Sequence, residues 1–380
     1  MVRLSLLLKA GHTVEIIRRL APRFEAEQGI GLDIEVVTED QAYQRLMSGE
    51  RLPDVCTVPY WNLAELVDAG LLAPLEISDY PGESQPRALQ AMTYESQVWG
   101  VPHTLTGGTL FTRADRVPDG FRTDADSFKD FLSMWDQLIQ AGSSLTIRAG
   151  SAFSSAETYR GLLYASGVNV FRGGEDADPA GLKDPLEAIV SRLRQQKENL
   201  VSLDYGQMGQ LFAEGLASMM FDTSAWATIF ALDDSLSKLV SFGRLGSPSA
   251  PFFYAEGLGI TQACAHPERA KALIRWRHSP EVIREEVETL NRLDFPRVDI
   301  VGEEWFWRLM NKGINHAVFD EVVASWDSVP VDYPISGPGF LSWGRSLMAT
   351  IADSVGGADL SQAIEKQFMK RCDDRQPGRD

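Results

Sequence analysis

Four groups of aromatic residues stand beside polar side chains where the chain should turn. Tyr60 and Trp61, with Asn62 next, come directly after the strand-like run Pro53 to Val58. Trp226 follows Phe221-Asp222-Thr223-Ser224, and Phe252, Phe253 and Tyr254 precede Glu256-Gly257. Trp343 follows the turn Ser336-Gly337-Pro338-Gly339. A flat ring with hydrogen-bonding neighbours suits a sugar or polyol, whose C–H faces pack on the ring while its hydroxyls bond to acids and amides. Any one of these rings is more readily a core residue. Four clusters, all after strands or turns, shift the balance towards a pocket. Trp135, Trp276 and Trp305 fall inside helical patterns and are assigned to packing.

Two of the five histidines extend this set. His12 and His103 each follow a strand-like run at a position expected to line a site, whereas His266 and His278 fall at helix edges and are expected in solvent. No two histidines have metal-ligand spacing on one helix face, so neither a metal nor another cofactor is expected. A glycine-lysine-serine phosphate loop is missing, and so is the sharp serine turn of hydrolases. The isolated pairs Gly107-Gly108 and Gly173-Gly174 read as turns. The many acids would allow a glycosidase-like carboxylate pair, though residues such as Glu285, Glu286 and Glu288 look like a solvated helix face.

The composition sets outer limits. The chain has 380 residues, 44% of them hydrophobic, enough for large cores in two or three domains or in one large two-lobed body. With 36 basic against 53 acidic residues the net charge is −17, which repels phosphate backbones and argues against nucleic-acid binding. Cys56, Cys264 and Cys372 are too few and too scattered for a metal cluster or a disulfide framework, and Cys56 and Cys264 read as small buried thiols. The apolar stretch Leu4 to Leu8 is too short for a membrane span or a secretory leader, so the chain reads as cytoplasmic or as a mature form without its leader.

The elements that must position these residues alternate. Val2 to Leu8 reads as a buried strand and Leu32 to Val37 as a second. Between them Val14, Ile17, Leu20, Ala21 and Phe24 form one face of a helix stopped by Gly29. A helix near Gln41 to Met47, a strand at Pro53 to Val58 and a helix from Trp61 to Ala69 follow. Such alternation predicts a parallel sheet with helices on both faces and ligands beyond the carboxyl ends of its strands. Further along, Ser127 caps a helix reaching Ala141, Asp184-Pro185 opens another, and Ala217 to Phe221 is a strand. Pro267 and Pro280 each start a helix. The C-terminal portion is helical around Trp305–Leu309, Phe319–Trp326, Trp343–Ile351 and Leu360–Met369, with a loose polar tail from Cys372.

The order of certain segments carries a resemblance. They are Arg23-Phe24-Glu25-Ala26-Glu27-Gln28-Gly29-Ile30, Pro53-Asp54-Val55, Ala69-Gly70-Leu71-Leu72-Ala73-Pro74-Leu75, and Trp99-Gly100-Val101-Pro102. Leu138-Ile139-Gln140-Ala141-Gly142, Phe212-Ala213-Glu214-Gly215-Leu216-Ala217-Ser218-Met219-Met220 and the stretch from Gly257 to Trp276 complete the set. Over nearly its whole length the chain resembles the solute-binding components of carbohydrate ABC importers, the group that includes maltose-binding protein. It departs from that pattern at Phe111-Thr112-Arg113, where the family usually has Tyr-Asn-Lys, and at Thr223-Ser224-Ala225-Trp226, where a Gly-Pro or Gly-Ala usually precedes the tryptophan.

The resemblance implies an α/β, two-lobed periplasmic-binding-protein-like fold of type II. Each lobe would be a mainly parallel sheet flanked by helices, with a hinge between lobes that close on ligand. The first lobe would hold residues 1–108 plus 258–310, the second 109–257 plus 311–380. The expected activity is non-catalytic: capture of a carbohydrate or polyol and its delivery to ABC permease subunits by a monomer that is periplasmic or held outside the membrane. His12, Tyr60, Trp61, Asn62, His103, Thr106, Asp222, Trp226, Tyr254, Glu256, Gly257 and Trp343 are the expected ligand-binding residues. Two alternatives remain. Asp222 and Glu256 with the aromatic walls could box a polyamine or quaternary amine, or an acid pair could act on glycosides.

Overall fold

The computed structural model of the chain describes residues 2–148, 152–168, 179–196, 205–231, 233, 235–245, 253–290, 292–310, 320, 322–324 and 339–369. The chain divides into two compact units, each made of two separate segments. The first comprises Met1–Leu105 and Tyr254–Phe319, the second Thr106–Phe253 and Asp320–Asp380. In chain order the strands are β1 (Val2–Lys9), β2 (Ile30–Val37), β3 (Val55–Pro59), a small ribbon of β4 (Thr93–Tyr94) and β5 (Gln97–Val98), β6 (Val101–Arg113), β7 (Leu145–Ile147), β8 (Met219–Thr223), β9 (Val240–Gly243) and β10 (Phe253–Ile260).

In the first unit β1 is parallel to β2 on one side, from Val2 opposite Ile30 to Lys9 opposite Val37, and to β3 on the other. The connection from β1 to β2 is the helix His12–Gln28, as a parallel crossover requires. Its expected apolar residues Val14, Ile17, Leu20 and Phe24 are buried against Leu4, Leu6 and Leu8 of β1. Leu7 points to the opposite face and packs with Cys56, Val58, Leu63 and Leu66, so the period-two alternation of a strand fills a core on each side of the sheet. Gly29 ends the helix in the left-handed conformation, at φ 65°, and its N–H bonds to Glu25 O at 3.0 Å. Trp276 packs on Phe24 at 5.0 Å between ring centroids, as assigned.

β10 returns antiparallel along β3, with Glu256 opposite Pro59, and β6 lies on the other side of β10, giving the order β2-β1-β3-β10-β6. The parallel reading therefore holds for β2-β1-β3, and the late-arriving β10 runs against them. In the second unit β7 is parallel to β8, while β6 is antiparallel to both β8 and β9. These antiparallel partners reach β6 from distant parts of the chain, a long-range pairing that local alternation does not disclose.

The helix Phe128–Gln140 is capped as expected. The Ser127 hydroxyl accepts the Asp130 N–H at 3.1 Å and donates to the Asp130 carboxylate at 2.7 Å. Phe131, Met134, Trp135 and Leu138 form its buried face. The helix expected from Asp184-Pro185 instead begins at Pro179 and runs to Gln195, with Pro185 inside it. Both prolines fit a start signal, but only Pro179 sits where the missing N–H has no intrahelical partner. The helices at Pro267 and Pro280 begin as expected. The expected Phe319–Trp326 helix falls largely outside the described residues, as do Gly173-Gly174, His316 and the tail from Cys372.

Candidate functional site

In the first unit strands β1, β3, β6 and β10 bring the polar residues together. β1 ends at Lys9, whose backbone N–H donates to Thr57 Oγ1 of β3 at 2.8 Å. β3 ends at Pro59, and the chain tightens at once into a 3₁₀ turn, Tyr60–Asn62, before the helix Leu63–Asp68. That turn buries Tyr60, Trp61 and Asn62. The Trp61 ring lies 5.1 Å from the Tyr60 ring and 5.1 Å from the Tyr254 ring. On β10, Tyr254 and Glu256 are two residues apart and so share a face of the sheet.

Glu256 is the hub. It is 3% exposed. Lys9 Nζ lies 2.8 Å from its Oε2, which also accepts the Tyr254 hydroxyl, and His103 Nε2 lies 3.1 Å from its Oε1. Lys9 also sits over the Tyr254 ring, 4.5 Å from its centroid. Burial alone would raise the Glu256 pKa, but Lys9 and His103 together hold it well below the usual carboxylate range. Burial lowers the His103 pKa to about 4; Glu256 opposes the shift, while Arg292 and Arg277 add to it. At neutral pH the group is thus an ammonium, a carboxylate and a neutral imidazole, with no net charge.

Three polar atoms of this cluster are buried and have no hydrogen-bond partner among the described residues: Trp61 Nε1, Asn62 Oδ1 and His103 Nδ1. Such atoms are rare in folded proteins and costly, about 1–3 kcal/mol each. They mix a donor with acceptors. A hydroxyl group both donates and accepts, so it matches the set; an ammonium group only donates.

In the second unit Asp222 on β8 is fully buried and held by Arg148, whose Nε lies 3.0 Å from Oδ2 while Nη2 bonds Oδ1. Arg148 lies 4.8 Å over the Tyr205 ring. Tyr205 stacks on Trp226 at 4.3 Å, and Trp226 on Phe230 at 5.4 Å. Thr106 of β6 is 1% exposed. Thr106 Oγ1 and Trp226 Nε1 are likewise buried without a partner among the described residues.

Several expectations change. Trp226 is not a bare platform: its ring packs with Tyr205 and Phe230, and it lies so close over Gly209 that a Cβ there would come within 1.9 Å. Trp343 is fully buried inside the helix Phe340–Val355 and stacks on Phe340 at 5.8 Å, so it serves the core. Gly257 is a packing residue, because a Cβ there would meet Met92 Sδ at 2.5 Å and Val101 O at 3.0 Å. Gly257→Ala should therefore cost about 1–3 kcal/mol of stability in urea unfolding; an unchanged midpoint would contradict the tight approach.

His278 is buried rather than solvated, with Nδ1 2.8 Å from Ile274 O and Nε2 3.1 Å from Pro102 O. Glu286 is buried with Arg277 and Arg292 because its helix turns this side inward; Glu285 and Glu288 stay on the outer side. His12 opens its helix, but its side chain lies outside the described residues, as do Phe252 and the Phe253 side chain. Lys9, Arg148 and Tyr205 were not singled out from the sequence. Lys9 and Arg148 share one available signal: each is the charged residue at the carboxyl end of an apolar strand.

The buried imidazoles make stability depend on pH. The His103 pKa is lowered from 6.5 to about 4, and burial lowers that of His278 to about 3. Between those values and 6.5 the unfolded chain binds protons that the folded chain does not. Stability present above pH 6.5 is therefore lost as pH falls towards 4, on the order of 3 kcal/mol for His103 alone. Urea unfolding at stepped pH should show this slope, and His103→Gln should flatten it; equal slopes in the two proteins would refute the assignment.

A family model described as bacterial extracellular solute-binding protein matches residues 19–297. The chain belongs to that family. Solved structures similar to this solute-binding protein span nearly its whole length. One from Thermotoga lettingae TMO, an ABC transporter solute-binding protein bound with alpha-D-tagatose, is 16% identical with a TM-score of 0.81, covering 97% of this chain and 98% of its own. Another from Agrobacterium vitis S4, with bound D-mannitol, is 15% identical with a TM-score of 0.77 and full coverage of both chains. Maltose-bound MalE3 of T. maritima is 16% identical with a TM-score of 0.78, covering 99% of this chain and 100% of its own. No curated protein matches the sequence. The two α/β units of this solute-binding protein have the fold of those proteins. Among the described residues no helix is long and apolar enough to cross a membrane, and no group of three or more His, Cys, Asp and Glu residues could hold a metal ion.

Proposed function

We propose that this protein is the solute-binding component of an ABC importer, that it captures a neutral carbohydrate or polyol, and that it delivers the ligand to membrane permease subunits from the periplasm or outer surface as a monomer. One observation carries the choice of ligand. In the first unit Trp61 Nε1, Asn62 Oδ1 and His103 Nδ1 are buried with no partner among the described residues, and the Glu256 carboxylate of the same unit is already neutralised by Lys9. A set of unmet donors and acceptors with no unmet charge favours hydroxyl groups. Trp61, Asn62, His103 and Tyr254 are the contacts proposed in the first unit; Thr106 and the edge of Trp226 are proposed in the second. The structures similar in fold that hold mannitol, tagatose and ribitol support the same chemistry.

The amine alternative is weaker, because both of its carboxylates are engaged: Glu256 by Lys9 and Asp222 by Arg148. A glycoside-cleaving role is weaker for a related reason. A general acid needs a pKa near the working pH, and Glu256 is held far below it.

Titration calorimetry with D-mannitol, ribitol, D-tagatose and maltose tests the reading, with spermidine and glycine betaine as the amine arm and a chromogenic glycoside as the enzyme arm. Saturable binding of at least one neutral compound, with no turnover, is expected. Binding confined to the amines, or steady glycoside cleavage, would replace it.

A further inference from the structure

We infer that Glu256 is a positioning residue that fixes His103 in its Nε2–H tautomer, so that the buried Nδ1 is a pure acceptor and selects a ligand presenting a hydroxyl donor at that point. The inference rests on the proposed carbohydrate or polyol site and adds a direction to one of its hydrogen bonds.

The geometry gives the direction. An ionised carboxylate can only accept. Both oxygens of Glu256 are occupied: Oε2 by Lys9 Nζ at 2.8 Å and by the Tyr254 hydroxyl, Oε1 by His103 Nε2 at 3.1 Å. The nitrogen facing Oε1 must therefore carry the hydrogen. A neutral imidazole has one N–H, so Nδ1 is left with its lone pair. Nδ1 is buried and has no partner among the described residues. Protonating Nδ1 as well would place a second cation near Arg292, itself buried and bound to the His103 carbonyl at 2.9 Å.

Arg292 sets the other half of the geometry. It holds His103 O and Thr104 Oγ1, while its neighbour Asp294 accepts the Leu105 N–H through its carbonyl at 2.8 Å. The strand is thus gripped at His103 and over the two residues that follow it, and the ring's tautomer is gripped by Glu256. A ligand hydroxyl that donates to Nδ1 can accept from a neighbouring donor, which an ether oxygen or a bare C–H at the same place cannot reproduce.

The test is an ¹⁵N imidazole spectrum of the labelled full chain at pH 7, with His103 assigned by the His103→Gln protein. The expected parent spectrum, without ligand, has a protonated Nε2 and an unprotonated Nδ1; a protonated Nδ1 overturns the inference. Adding the polyol that calorimetry selects should shift Nδ1 upfield as it accepts a hydrogen bond, and an unmoved Nδ1 overturns it. Glu256→Gln, whose amide can donate or accept, should show both tautomers and about 10- to 100-fold weaker polyol binding. Glu256→Asp should restore a single tautomer and part of the affinity. A Glu256→Gln protein with the parent's tautomer and affinity would also overturn it. If the variants do not fold, the two parent spectra still decide. A parent with protonated Nε2 that binds none of the neutral compounds would uphold the tautomer lock and defeat the ligand assignment instead.

Discussion

Replacing Arg148 with methionine should cost about 3–5 kcal/mol of stability. Asp222 is fully buried on β8, and Arg148 grips both of its oxygens. The stability comes less from the pair's attraction than from the position its loss would leave. Two charges taken from water attract strongly enough to offset their own desolvation, but one left alone has nothing to offset it. Tyr205 also loses the guanidinium over its ring. The double change Arg148→Met with Asp222→Leu should return most of the lost stability, because an apolar pair of similar volume leaves no buried charge. Equilibrium urea unfolding of the three proteins checks this. A single variant within about 1 kcal/mol of the parent would mean that Asp222 finds water or another partner.

Trp61→Phe should separate binding from folding. The indole N–H is buried and unpartnered among the described residues, so the unliganded protein gains nothing from it. Phenylalanine keeps an aromatic ring against Tyr60 and Tyr254 and removes the donor. The smaller ring loses some packing and the lost donor relieves a desolvation cost, so stability should stay within about 1 kcal/mol of the parent. Affinity for the polyol that the parent binds should fall about 10- to 100-fold. Trp61→Ala should lose both, with roughly 3–5 kcal/mol of stability gone as well. Thermal unfolding and calorimetry on the same samples read the two effects. Parent-like affinity in Trp61→Phe would remove this N–H from the ligand contacts.

The first 70 residues were legible because every device there is local. Leu4, Leu6 and Leu8 alternate with Leu7 across one strand, Phe24 stands on a 3.6-residue stripe, and Gly29 marks a left-handed stop. The candidate site was legible in the sequence where residue type and turn position coincide, as at Trp61 and Asn62, which the structure buries in the turn after β3. It was not legible where a role depends on a remote partner. Asp222 read as a ligand contact because nothing near it in sequence announces Arg148. Glu286 read as solvated because Arg277 and Arg292 come near it only in the packed fold. Trp343 follows a turn-like sequence, Ser336-Gly337-Pro338-Gly339, as a site residue would, yet its helix directs it inward to Phe340.

β10 supplies the antiparallel neighbour of β3 and the residue Glu256, and it arrives roughly two hundred residues after β3 in the chain. On the ribosome, β1, β2 and β3 emerge early with their apolar faces made, but the edge of β3 waits for β10 through the synthesis of the first segment of the second unit, Thr106–Phe253. The nascent chain must therefore carry a sticky open edge for much of translation, a hazard for association with other chains. The order of synthesis also means that Lys9 waits for its counter-charge until Glu256 has emerged, so the candidate cluster of the first unit cannot form before the second segment of that unit, Tyr254–Phe319, has begun to appear.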